Sequence, residues 1–443
     1  MNVRYGNHGR KAGRVAAALM AIVMLVLLIA PTQQSFAAIQ EFSITVIGGR
    51  AAAGPNEEPL TTVTLVDGKP YLFFVYADTS DVFREFDHWE AEGATLTDYQ
   101  TYSSCFTMAM PPNDLTLTAV FRDTEANKRL AGSNRYATSQ AVADDYMQWR
   151  REGYFDKVVV ASGDAFPDAL AGSYLASMLN APLLMVNGSS SQNVADYIRS
   201  HTYPSATVYI LGGTGAVPQS FEGLITGSGY NFKAVRLAGS NRYLTNIEIL
   251  NESGACQSGY TEDIMVCSGK NFADALSASS LESPILLVAD SLIPEQIAIL
   301  QRPNAGRIFI MGGTGAVSEE IEQQIVEATG KTPIRLAGSN RYETSAAIAS
   351  YFSDTADWFM DEAVFFASGA NFPDGLAGGP LACFYAAPLI LIDKNRTAAA
   401  QYFIGAHPEI AHSVTLGGTG VLPDSTVEAA MTPLYGEGIP VAQ

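Results

Sequence analysis

From Lys157 onward the chain alternates short, continuous apolar runs with longer stretches whose apolar positions recur at helical spacing. "KVVVASG" predicts a buried strand and "FPDALAGSYLASMLN" a helix, with Pro167 suited to its first turn. "APLLMV" predicts a second strand, and the stretch after "SSSQN" a second helix that a serine or asparagine can cap. "TVYILGG" predicts a third strand, and Pro218 opens a further helix. Strands that are apolar at every position are covered on both faces, which predicts a parallel sheet flanked by helices. "KAVRLAG" then reads as the strand that starts another such unit. The stretch from Ala38 to about Asp123 has a different texture: "FSITVIGG", "TTVTLV" and "YLFFVYA" predict strands separated by Gly, Pro, Asn and Asp turns.

The α/β pattern is said three times. "RLAGSNRY" begins at Arg129, Arg236 and Arg335. Each copy is followed by a glycine-led segment ("GDAFPDAL" from Gly163, "GKNFADAL" from Gly269, "GANFPDGL" from Gly369). An apolar block comes next ("APLLMV", "SPILLV", "APLILI"), and then a "GGTG" turn ("YILGGTGAV", "FIMGGTGAV", "TLGGTGVL"). Matched blocks in one order, repeated, mark homologous modules. The expected organisation is an export signal over 1–37, a small β-rich domain over 38–123, and modules over 126–231, 232–331 and 332–443. The expected fold class is α/β: three tandem doubly wound parallel-sheet modules preceded by a small all-β (or β-grasp-like) domain.

Composition changes the picture in two ways. Arg4, Arg10, Lys11 and Arg14 precede an apolar run from Val15 to Ala30, and Ser35-Phe36-Ala37 follows as a cleavage site. That run rises only about 24 Å as a helix, short of the roughly 30 Å hydrocarbon core, so it reads as a cleaved export signal and not as an anchor. No cysteine near the site suggests lipidation, and the C-terminal "GEGIPVAQ" carries no sorting motif, so the mature chain is expected outside the cytosol with no covalent or membrane anchor. It would then carry 22 basic against 45 acidic residues, a net charge of −23. Nucleic acid is an unsuitable partner for such a chain, because phosphate neutralisation needs a basic face.

The cysteines, Cys105, Cys256, Cys267 and Cys383, offer no metal-ligand spacing, and zinc is not expected. Cys256 is placed at the end of a helix and Cys267 at the far end of the next strand, too distant for a disulfide. All four read as small buried hydrophobes. No cofactor is expected either. "GGTGAVP" lacks the third glycine of a dinucleotide fingerprint and lies on the last strand instead of the first, and no Walker lysine or nucleophile-elbow motif occurs. The histidines beyond the signal, His88, His201, His407 and His412, share no module position, so no His-based triad or metal site repeats.

The repeated polar residues fall instead at the predicted carboxyl ends of strands, where doubly wound sheets bind ligands. They are Ser133, Asn134 and Arg135, Ser240, Asn241 and Arg242, Ser339, Asn340 and Arg341, and the aspartates Asp168, Asp274 and Asp374. A structural reading competes for each. Serine or asparagine can cap a helix, and aspartate in a first turn gains from the helix dipole. Each arginine would meet either a ligand anion or one of the three aspartates across the module.

With these blocks assembled, residues 126–443 resemble the cell wall binding repeat 2 family of Gram-positive bacteria. The resemblance implies three modules, each with a Rossmann/toprim-like fold, packed as an intramolecular pseudo-trimer, and non-covalent attachment to an anionic secondary wall polymer. The family's apolar block maps onto Leu183 and Leu184, onto Ile285 to Leu287 and onto Leu389 to Leu391; the first and third copies depart from its strict form, and a buried strand is the plainer reading. Three copies of a weak site would supply avidity. The segment "FREFDHWEAEGATLTDYQTYSSCFTMAMPPNDLTLTAVFRD" resembles the divergent internalin-type B-repeat, with Pro112 as an extra residue, which implies a spacer or adhesive unit. His88 and Trp89 within it read as core and strand-edge residues. An alternative stays open: a secreted glycan-active enzyme with a cleft among the modules.

Overall fold

The computed structural model describes residues 41–47, 49–52, 61–66, 72–77, 84–97, 100–101, 105–109, 113–123, 127–148, 154–227, 229–257, 261–355 and 362–434. The export-signal reading of residues 1–37 and the Met110 to Pro112 segment lie outside them. The chain divides into two compact units, 1–126 and 127–443.

Among the described residues of the first unit, seven strands form two sheets. They are β1 (Glu41–Ile47), β2 (Gly49–Ala52), β3 (Thr62–Val66), β4 (Leu72–Ala77), β5 (Arg84–Glu92), β6 (Cys105–Ala109) and β7 (Leu115–Asp123). One sheet runs β3-β1-β7-β5 and the other β2-β4-β6. The first and last strands, β1 and β7, pair in parallel, which a chain of simple hairpins would not produce. Period-two alternation delivers Ile44, Val46, Leu115, Leu117 and Trp89 to one core. Trp89 stands edge-on to Phe106 with centroids 5.9 Å apart. His88 is half-buried beside Asp87, Nδ1 to Oδ2 2.7 Å.

In the second unit, β8 (Asn127–Leu130) precedes three repeated sets. The first is β9 (Phe155–Ser162), β10 (Leu183–Val186), β11 (Thr202–Leu211) and β12 (Lys233–Leu237). The second is β13 (Glu262–Ser268), β14 (Ile285–Val288), β15 (Ala305–Met311) and β16 (Ile334–Leu336), and the third is β17 (Ala363–Ser368), β18 (Leu389–Ile392) and β19 (His412–Leu416). Each set forms a four-stranded parallel sheet: β10-β9-β11-β12, β14-β13-β15-β16 and β18-β17-β19-β8. The apolar blocks are buried at every strand position, as continuous hydrophobic runs require.

The strand carrying each octapeptide does not open its own module's sheet. It completes the sheet before it: β12 lies on β11, β16 on β15, and β8, the first strand of the unit, pairs with β19, the last. The three modules thereby close into a ring. The closing seam also buries a polar cluster in which Asp145 accepts from Lys128 and from Tyr385 Oη at 2.8 Å. Pro167–Leu179, Ala273–Ala278 and Pro373–Phe384 are the inner helices, each packed on the octapeptide helix of the next module around the ring (Arg242–Glu252, Arg341–Thr355 and Arg135–Gln148 respectively).

The expected cap on Ser191–His201 takes another form. Ser190 makes no cap bond; Asn187 Oδ1 accepts from the backbone of Ser189 and Ser190 and holds the turn. Cys256 and Cys267 are buried, whereas Cys383 is half-buried; the Cys105 side chain is outside the described residues. No disulfide joins Cys256, Cys267 or Cys383. Burial pushes the Cys256 thiol up to about 12 and raises that of Cys267 well above its ordinary value. Intact-mass analysis of denatured, unreduced protein is therefore expected to show four alkylatable thiols. Under native conditions Cys256 and Cys267 should react at least about tenfold more slowly than after denaturation.

Candidate functional site: the axial end of the ring

The octapeptide is first a folding device. Gly132, Gly239 and Gly338 lie so close to the following helix that a Cβ would sit 2.3–2.4 Å from its first turn. Their N–H groups donate to Thr138, Thr245 and Thr344 Oγ1 at 3.0–3.1 Å. Asn134, Asn241 and Asn340 Oδ1 each accept two N–H groups at 3.0–3.2 Å, capping the helix. Ser133, Ser240 and Ser339 are exposed on the turn.

The repeat extends further than its eight letters suggest. Ser139, Asn246 and Ser345, three residues past each tyrosine, take the backbone N–H of Met185, Leu287 and Leu391 at 2.9–3.0 Å. That bond covers the outer edge of each apolar-block strand, which would otherwise be an open sheet edge.

The first arginine of each copy, passed over in the sequence reading, is structural. Arg236 donates to the carbonyls of Gly212 and Val217 and pairs with Glu222; Arg335 repeats this with Gly312, Val317 and Glu322. Arg129 reaches across the closing seam to Gly417 O and Asp424. These forks lock the "GGTG" turns. Their common position, three residues before the glycine of each octapeptide, was the available signal.

The second arginines behave differently. Arg135, Arg242 and Arg341 each donate Nη1 to the carbonyl of Gly163, Gly269 or Gly369 in their own module, at 2.6–2.7 Å. None forms a close ion pair with Asp168, Asp274 or Asp374. The aspartate that each arginine faces belongs to the preceding module, since the octapeptide helix packs on that module's inner helix: Arg242 faces Asp168, Arg341 faces Asp274 and Arg135 faces Asp374. The aspartates press on the glycine turns. At Gly212, Gly312 and Gly417, with φ of 93°, 103° and 102°, a Cβ would stand 2.3, 2.4 and 2.8 Å from an aspartate Oδ2.

Burial dominates the aspartates' ionisation and the neighbouring arginine only partly offsets it. Asp168 and Asp274 are pushed up to about 6, and Asp374 is raised, with Thr138 and Arg135 pulling it back. A carboxyl whose folded pKa exceeds its unfolded value binds more protons when folded. It therefore favours the fold below about pH 4, and that contribution is lost as pH rises through about 6. The variant Asp274→Asn is expected to melt several degrees above the unaltered chain at pH 7.5 and level with it at pH 4, read by calorimetry.

At the centre, Phe166, Phe272 and Phe372 form a triangle, with centroids 5.6, 5.6 and 6.2 Å apart and each ring edge-on to the others. Arg242 stacks over Phe166 at 5.7 Å and Arg341 over Phe272 at 5.2 Å. All three rings are half-buried. A separate hollow of about 300 Å³ lies at the carboxyl ends of β13 to β15, lined by Ser268, Lys270, Asn271, Asp290, Thr314 and Ser318. Its lysine is replaced by Asp164 and Ala370 in the other modules, and Lys270 is paired with Asp290 at 2.5 Å, so it does not belong to the repeated surface.

Residues 129–222, 236–322 and 335–428 match cell wall binding domain 2 (CWB2), together well over half of the chain. The chain belongs to the cell wall binding domain 2 family. It carries three CWB2 modules and is a protein of the cell wall surface. Among the described residues no helix is long and apolar enough to cross a membrane. The CWB2 fold is shared with Cwp6 from Clostridium difficile (TM-score 0.61, 18% identity, 91% of this chain and 69% of that one). Cwp8 from the same organism aligns with a TM-score of 0.60 at 20% identity, over 78% of this chain and 63% of that one. Among curated relatives, the N-acetylmuramoyl-L-alanine amidase LytC of Bacillus subtilis is 28% identical over 318 residues, and an amidase enhancer of that bacterium 28% over 276. The chain matches 59% and 35% of the length of these two relatives.

Proposed function

We propose that the three CWB2 modules hold an exported protein non-covalently on an anionic secondary polymer of a Gram-positive cell wall. The small β-domain, read as an internalin-type B-repeat, is displayed as a spacer or adhesive unit. The observation that supports this reading is the cyclic placement of Arg135, Arg242 and Arg341 beside Asp374, Asp168 and Asp274, each guanidinium donating to one glycine carbonyl, with Arg135 also 3.9 Å from Asp164. Guanidinium forks suit phosphate or carboxylate, and the carboxylates suit hydroxyl groups. The asparagines serve the site by capping the helices that aim the arginines. Co-sedimentation with purified wall, before and after its secondary polymer is stripped, tests the reading. The protein is expected to pellet with intact wall and to stay in solution with stripped wall; equal pelleting with both would count against it.

The amidase name of one relative motivates a second proposal, a glycan-active enzyme. Among the described residues no group of three or more His, Cys, Asp or Glu side chains is placed to hold a metal ion. Incubation with labelled wall is expected to release no soluble fragments beyond the buffer control, and release above it would support the enzyme.

A further inference from the structure

We infer that the repeated surfaces form one composite site on the ring axis, taking a single sugar residue that bears an anionic substituent, so that each molecule grips one polymer strand. The inference rests on the wall-polymer reading above and departs from the expectation of three separate sites acting by avidity.

Geometry is the reason. Binding at several places along a polymer requires sites separated enough to engage different stretches at once. Here the three module surfaces meet. The phenylalanines of all three modules touch one another within 6.2 Å between centroids. Arg242 of the second module lies over Phe166 of the first, and Arg341 of the third over Phe272 of the second, so neither half of a site belongs to one module. Three polymer segments cannot share a triangle of that size.

The chemistry of the cluster names the occupant. Aromatic rings left half-exposed on the axis, among charged groups, offer an apolar platform to the C–H face of a sugar ring. The guanidinium fork of each arginine is fixed by a bond of 2.6–2.7 Å to a glycine carbonyl, which orients its remaining N–H groups without consuming them. They suit a phosphate or carboxylate substituent. The carboxyls of Asp168 and Asp374, half-buried beside the arginines of the next module, are acceptors for hydroxyl groups. A neutral apolar ligand would leave both charge sets unmatched, and a bare polyanion would leave the phenylalanines unused.

The test is calorimetric titration of the full chain with secondary polymer released from purified wall and size-fractionated to its shortest binding fragments. One fragment per chain is expected. Phe272→Leu, which keeps apolar volume, and Arg242→Gln each alter one module only, and each should weaken the whole molecule's affinity about tenfold or more with the stoichiometry unchanged. Melting curves establish that both variants are folded, and Phe272→Leu carries the test if Arg242→Gln is not. Three fragments per chain, or a variant that loses a third of its capacity while the remainder binds as before, would overturn the inference and leave the wall-polymer reading intact. Unchanged affinity in both variants would likewise move the site off the axis. Absence of any binding by the unaltered chain would instead overturn the wall-polymer reading itself, and this inference with it.

Discussion

Deleting residues 331–443 should abolish wall retention, with a loss of about tenfold or more instead of the one third that three independent modules would predict. The reason is the ring closure. Without β19, the strand β8 has no sheet to join, and Arg129 loses both Gly417 O and Asp424. Asp145, 2% exposed, keeps Lys128 but loses Tyr385. The packing of Pro373–Phe384 on Arg135–Gln148 and on Pro167–Leu179 goes as well, exposing apolar helix faces that favour aggregation. Co-sedimentation and a melting curve together check this. A truncated protein that stays soluble, melts cooperatively and retains about two thirds of wall binding would show that the modules are autonomous.

Substituting Gly312 by alanine should be the most damaging single methyl group in the second module. Its φ of 103° disfavours any L side chain, and the new Cβ would stand 2.4 Å from Asp274 Oδ2. Asp274 is buried in a first helical turn and has little room to retreat. Strain and clash together should cost about 3 kcal/mol or more, lowering the melting temperature by roughly 6–12 °C. The neighbouring Gly313→Ala is the control, since a Cβ there meets nothing within 4 Å and should change stability by less than about 0.5 kcal/mol. Adding Asp274→Ala to Gly312→Ala should recover part of the loss, the coupling that a shared contact produces. Equal melting of the two alanine variants would remove the aspartate from its place behind the turn.

Much of the module was legible because its strands are buried on both faces. Val158 to Ala161, Ile285 to Val288 and Leu389 to Ile392 read as strands because no polar residue interrupts them. Pro167 and Pro218 likewise marked helix starts: the structure places Pro167 at the first helical position and Pro218 at the N-cap of Gln219–Thr226. Strand pairing was not legible in the same way. "KAVRLAG" was correctly a strand, yet its partner is the preceding sheet, because periodicity reports how a strand is covered and not which neighbour it bonds. The candidate site was half legible. The second arginines and the aspartates were visible as repeated polar residues, but the aspartate facing each arginine lies in another module, a relation set by helix packing around the ring. Phe166, Phe272 and Phe372 stood in the quoted blocks without being singled out, since nothing local distinguishes a core ring from one on a symmetry axis.

The offset between repeat and sheet also bears on how such a protein can vary. A gene segment spanning one repeat encodes most of one sheet and the last strand of another, so unequal recombination that added a fourth copy would still give every strand a local partner. It would not give a closed molecule: three steps around the axis return the chain to β8, and a fourth would have to open the triangle of rings at its centre. Solenoid proteins lengthen freely because each repeat touches only its neighbours, whereas here rotational closure sets the copy number. Diversity is thereby directed to chain outside the ring, such as the unit ahead of Asn127, where a fused domain can be exchanged without disturbing the count.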